Sequence, residues 1–218
     1  MKKYWAELIG TFILVFVGTG AIMINDITGN VTHLGVGLSF GLVVMSMIYT
    51  IGDVSGCHIN PAVTIAFWIA KKFEGKEVIP YILFQIAGGI LASAVLNCIL
   101  PEANTMGETL VKDGNWQQSF LLEFFLTFIL MFVILNVSTG AKEKGIIAGT
   151  AIGAVVAFEA TFAGPICGAS MNPARSIAPA LFGNPTYLWV YIVATTLGAI
   201  LAVYACKLIQ KEDCCKKC

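Results

Sequence analysis

The sequence predicts an all-α membrane protein with six transmembrane helices, two re-entrant half-helices and an inverted internal repeat. Composition is the first reason. Of 218 residues, 57% are hydrophobic and only 12% charged. A soluble domain carries about 25% charged residues, so this chain cannot cover its surface in water. Length is the second. Six stretches, about 4–26, 34–53, 78–100, 117–138, 145–164 and 187–209, reach the roughly 20 apolar residues that cross about 30 Å of hydrocarbon as a helix. Self-similarity is the third. "AELIGTFILVFV" from Ala6 aligns with "LEFFLTFILMFV" from Leu122, with Glu7 on Glu123, and "NPAVTIA" from Asn60 aligns with "NPARSIA" from Asn172. The offsets of 116 and 112 belong to one duplication. Each copy holds three spans, an odd number, so the second enters the membrane from the opposite face.

One membrane domain over 1–218 is expected, with a first repeat over about 4–100, a second over about 117–210 and a short cytoplasmic tail at 211–218. "MKK" and the long apolar run behind it read as a retained first span, because no small-residue cleavage site with a polar mature domain follows. Charge and turn residues collect in the joints "NDITGNVTH", "AKKFEGKEVIP", "PEANTMGETLVKDGNW" and "STGAKEKG", and the last of these offers no convincing gate. Two further apolar segments, about 60–70 and 172–182, are only half a span long. With the N-terminus in the cytoplasm, Lys112 is the one lysine left outside and all the others lie on the cytoplasmic side. This positive-inside asymmetry puts both termini in the cytoplasm of a multi-pass protein. Zero net charge gives no basis for binding nucleic acid.

Both half-spans open with Asn-Pro-Ala: Asn60, Pro61 and Ala62, then Asn172, Pro173 and Ala174. One such triplet would be a turn signal. Two, in register with an inverted repeat, are helix starts. Asparagine is a good N-cap, proline fits the first helical position, and alanine lets two starts approach closely. A half-length helix survives in a membrane only when buried in protein or lining water. Two of them entering from opposite faces would meet N-terminus to N-terminus, each end carrying about half a positive charge. A cation or proton meets a barrier there, and a neutral solute with lone pairs meets two amide donors. The chemistry implied is a pore for small neutral polar solutes.

At "AELIGTF", "SGCHINPAVT" and "GASMNPARS" the chain resembles the major intrinsic protein family, the aquaporins and aquaglyceroporins, over residues 4 to 210. The resemblance implies that Asn60 and Asn172 are paired midplane donors and that Glu7 and Glu123 brace the re-entrant loops by accepting their backbone N–H groups. It implies that His58 is structural, its ring tying the loop, rather than a titrating gate. It implies a homotetramer in the cell membrane, each protomer with its own pore. A selectivity filter is implied at Phe40, Ala160, Ala169 and Arg175, the chain's only arginine. A lone intramembrane arginine is costly and so functional by default.

Strict water pores of the family carry histidine at the Ala160 position. Here the two histidines are His33 and His58, and neither is at that position. Alanine at 160 and 169 would leave two walls recessed, suited to a carbon skeleton with hydroxyls on its other edge. The pattern resembles the nodulin-like plant branch, which has tryptophan where Phe40 sits, and prokaryotic multi-solute members. It implies passage of water, glycerol, urea and small uncharged metalloid acids. Ser176 and Ala180 instead match water-type members, so a strictly water-selective pore is the alternative. Glu159, beside the filter, either faces a neighbouring helix or adds an acceptor to the pore.

Cys57, three residues before Asn60, mirrors Ala169 and should sit at the pore wall, with Cys167 the competing thiol-reagent target. The seven cysteines lack zinc-site spacing, so no metal or cofactor is expected; a soft-metal contact at "DCCKKC" is the alternative. A secondary transporter using Glu7 and Glu123 as ion or proton ligands is a competing class, and an adhesion protein on the same fold is disfavoured by short outer loops. No nucleophile and base stand at catalytic spacing, which argues against an enzyme.

Overall fold

The computed structural model describes residues 1–138 and 142–209, with side chains described except at 142–146. The loop "STGAKEKG" therefore lies partly, and the "DCCKKC" tail wholly, outside the described residues. The helices are α1 (Lys2–Thr28), α2 (Thr32–Ser55), α3 (Pro61–Ile69), α4 (Gly75–Ile99), α5 (Trp116–Val137), α6 (Lys142–Cys167), α7 (Pro173–Ala180) and α8 (Leu188–Ile209), with a 3-10 turn at Lys112–Gly114. Among the described residues six helices are long and apolar enough to cross a membrane. The other two, α3 and α7, are the expected half-helices. The spanning helices have oily outer faces: Leu38 and Leu42 of α2 and Phe158 and Phe162 of α6 are exposed, as lipid contact requires and water would penalise.

The duplication is visible in the packing. α1 lies on α4 and α5 on α8, while α2 and α6 pack on each other across the pseudo-twofold. Small residues set these distances. A Cβ on Gly88 would strike the Leu8 carbonyl, and one on Gly198 the Phe124 carbonyl. Leu8 and Phe124 are 116 apart, and Gly88 and Gly198 are 110 apart. On the pseudo-axis itself, a Cβ on Gly153 would sit 2.7 Å from the Gly41 carbonyl oxygen, and one on Gly41 would strike the Gly153 carbonyl. Backbone approach this close is a small-residue device of membrane helices.

Each half-helix starts as its triplet dictates. The Asn60 side chain accepts from Ala62 N at 2.9 Å, and the Asn172 side chain accepts from Ala174 N at 3.0 Å and Arg175 N at 3.4 Å. Proline fills the first helical position of both, where its missing N–H costs nothing. α6 runs through Pro165 to Cys167, so Cys167 belongs to the end of this helix, beyond the span expected at about 145–164.

Candidate functional site

The two loops ahead of α3 and α7 have the same unusual backbone. Cys57 (φ 48°) and Ile59 (φ 42°) are left-handed, as are Ala169 (φ 41°) and Met171 (φ 53°). For branched or bulky residues this conformation is strained. A buried carboxylate holds each loop in place. Glu7 accepts from His58 N at 2.9 Å and Ile59 N at 2.6 Å, and also from Ser55 Oγ and Gln85 Nε2, both at 2.7 Å. Glu123 accepts from Ser170 N at 2.7 Å and Met171 N at 2.9 Å. His58 Nδ1 lies 3.1 Å from Thr64 Oγ1, and its ring stacks on Phe67, with centroids 4.8 Å apart.

The loops then lock each other. Asn60 Nδ2 donates to the Met171 carbonyl at 2.7 Å, and Asn172 Nδ2 donates to the Ile59 carbonyl at 2.8 Å. A side-chain amide nitrogen carries two hydrogens, so each asparagine spends one on the opposite loop and keeps one. Both asparagines line a cavity of about 120 Å³ that runs past Leu14, Phe40, Val44, Cys57 and Val63 to Ile134 and Ser138. A second, wider cavity of about 550 Å³ opens on the other side, past Ile22, His33, Glu108, Ala160 and Lys112.

Phe40 and Arg175 line both cavities and so stand at the boundary between them. Ala169 lines the first and Ala160 the second. Of the four residues expected at a constriction, Phe40 and Arg175 share the boundary, with Ala169 on one side of it and Ala160 on the other. Arg175 is 1% exposed. Its Nη1 donates to the Gly107 carbonyl at 2.8 Å, while Nε and Nη2 meet no protein acceptor among the described residues. Its guanidinium carbon lies 5.1 Å from the centroid of the Phe40 ring. Cys57 lines the first cavity. Cys167 is fully buried, and its Sγ donates to the Ala163 carbonyl at 3.5 Å. Glu159 is fully buried and lines neither cavity, so it faces the protein interior, where the duplication pairs it with Met47.

Two cavities thus meet at Phe40 and Arg175 inside a bundle of membrane-length helices, and known proteins share this arrangement of helices. A family profile described as "Major intrinsic protein" matches residues 1–205. The chain belongs to the major intrinsic protein family. Among members of that family, the "Probable aquaporin NIP-type" of Nicotiana alata is 42% identical over 214 residues, covering 98% of this chain and 79% of the relative. Nodulin-26 of Glycine max is 38% identical over 215 residues, with the same coverage. The solved "aquaglyceroporin from Plasmodium falciparum" superposes with a TM-score of 0.85 at 24% identity, covering 95% of this chain and 97% of that one, a likeness of fold. As a major intrinsic protein the chain is a multi-pass membrane channel for water and small neutral solutes, and not an enzyme.

Sequence reading missed part of this site. The carbonyls of Ile59 and Met171 as cross-loop acceptors carry no sequence signal. Gly107, which orients Arg175, sits in the loop after α4, where no periodicity points at a partner. Gln85 and Ser55, which share Glu7 with the loop, were findable as polar residues in apolar spans.

Proposed function

We propose that the pore passes water and glycerol-sized neutral solutes, urea and metalloid acids among them, that it rejects protons and ions, and that Phe40, Ala160, Ala169 and Arg175 form its selectivity filter. The observation that carries this reading is buried Arg175 at the cavity boundary, whose Nε and Nη2 donors are taken up by no described protein acceptor. A hydroxylated solute satisfies those donors along one edge. Its carbon skeleton finds the Phe40 ring and the small side chains of Ala160 and Ala169. A cation meets the arginine charge and, beyond it, the two facing half-helix N-termini, which disfavour positive charge. Asn60 and Asn172 each offer one remaining N–H to a passing oxygen.

Glu7 and Glu123 are committed to the re-entrant loops, which favours a passive channel over a transporter that needs free carboxylates. The lysine distribution supports cytoplasmic termini in the cell membrane, and the family supports a homotetramer. The test is stopped-flow light scattering on proteoliposomes, reading water and glycerol permeability of the parent and of Ala160→His. The expected result is a parent that passes both and a variant that keeps water and loses glycerol. A parent that passes water alone overturns the wide-filter reading and leaves a strictly water-selective channel.

A further inference from the structure

The geometry points to Gly18 as a positioning residue for selectivity: it opens a notch in the wall of α1 in which the Phe40 ring lies, and this keeps the ring out of the bore. The inference rests on the filter reading proposed above. Leu14 lines the first, narrower cavity, the inner one, and Ile22 the second, wider cavity, the outer one. Gly18 stands one helical turn from each, on the same stripe of α1. The stripe that walls the pore is thus interrupted at the level of the cavity boundary. A Cβ placed on Gly18 would fall within 2.5 Å of ring atoms Cδ1 and Cζ of Phe40, and closer still to Cε1. Real atoms do not approach so closely, so any side chain at 18 displaces the ring. α1 has no free space to retreat into at this level, because a Cβ on Gly107 would already sit 2.9 Å from the Thr19 carbonyl oxygen. The free volume beside the ring is the pore, since Phe40 lines both cavities.

The duplication supplies an internal control. Positions 14, 18 and 22 correspond to Leu130 and Ile134 on α5 and Ser138 at its C-terminal cap, and Phe40 corresponds to Ile152 on α6. All four of these line the inner cavity. The second repeat fills with two isoleucines the space that the first fills with a hydrogen and an aromatic ring. Two branched side chains share the volume evenly. A ring that large fits only if its neighbour gives up its side chain altogether.

Proteoliposome water and glycerol permeabilities of the parent, Gly18→Ala, Phe40→Ala and the Gly18→Ala/Phe40→Ala double variant test this. Gly18→Ala lowers glycerol permeability by about tenfold or more, the low end of what one methyl-sized clash is worth in a fitted pocket, and lowers water permeability less. Phe40→Ala in the same chain restores glycerol. An unchanged glycerol-to-water ratio in Gly18→Ala overturns the notch, as does a loss that Phe40→Ala does not rescue. Gly18→Ile/Phe40→Ile, which rebuilds the second repeat's pair, guards against simple misfolding: it folds and conducts, whereas Gly18→Ile alone does not pass glycerol. A double variant as inactive as the single one overturns the notch. A parent that passes only water overturns the solute range alone. The notch is then read on water, which Gly18→Ala slows and Phe40→Ala in the same chain restores.

Discussion

Ile59 and Met171 sit in left-handed backbone at φ 42° and 53°, a conformation that costs about 1–3 kcal/mol for a residue with a Cβ. Buried glutamates offset that cost by accepting the N–H groups of these same residues. The two braces are unequal. Glu7 takes four described hydrogen bonds, two at each oxygen. Glu123 takes one loop N–H at each oxygen. Converting either to glutamine turns one acceptor oxygen into a donor, and each stranded buried donor costs about 1–3 kcal/mol. Glu7→Gln disturbs two partners at the altered oxygen and Glu123→Gln one, so thermal unfolding in detergent should show both variants destabilised and Glu7→Gln the more so. Cys57 gives a separate prediction. Its thiol is free and its residue lines the inner cavity, so a mercurial should slow water flux, and Cys57→Ser should abolish that sensitivity. Sensitivity that persists in Cys57→Ser and disappears in Cys167→Ser would assign the effect to the buried thiol at the end of α6.

Helix crossings set how close the cavity-lining helices α2 and α6 stand. α2 and α6 cross at Gly41 and Gly153, where each backbone carbonyl lies where the other glycine's Cβ would be. A large side chain here must push the helices apart, and overpacking of this kind costs about 1–3 kcal/mol. Gly153→Leu should therefore lower the unfolding temperature and disturb the filter, since α2 carries Phe40 and α6 carries Ala160. Gly52 provides the contrast. It lies inside α2, and a Cβ there meets nothing within 4 Å. Gly52→Ala should raise stability by about 0.5–1 kcal/mol and leave flux alone. Equal loss of stability in both variants would show that close approach is not what the α2–α6 glycines provide.

The assembled channel has two cavities that meet at Phe40 and Arg175, with the re-entrant half-helices held by bonds between the loops. The loops are tied at both ends, by glutamates from α1 and α5 and by each other's asparagines. Such a site is pre-organised and needs no rearrangement for each solute it passes. Flux should then rise linearly with the solute gradient, with a low activation energy, and be unaffected when a protonophore or ionophore collapses ion gradients across the vesicle. Saturating uptake that follows an imposed proton or sodium gradient would instead identify a coupled transporter.

Much of this was legible in the chain because it is written in local patterns. Apolar runs of membrane length, Asn-Pro as a cap and first helical residue, and two glutamates in register mark the six spans, the half-helices and the braces without knowledge of any contact. Arg175 stood out because one charge at membrane depth needs a purpose. Other features depend on how segments far apart in sequence approach each other. The reciprocal bonds of Asn60 and Asn172 join loops more than a hundred residues apart, and the Gly107 carbonyl reaches Arg175 from a loop without regular pattern. The inward face of Glu159 is set by the rotation of α6 about its axis. The seat of the Phe40 ring against Gly18 is set by the distance between α1 and α2. Helix periodicity specifies which residues share a stripe. It does not specify the crossing angle, rotation and separation of two stripes, and those quantities decide which side chain enters the pore.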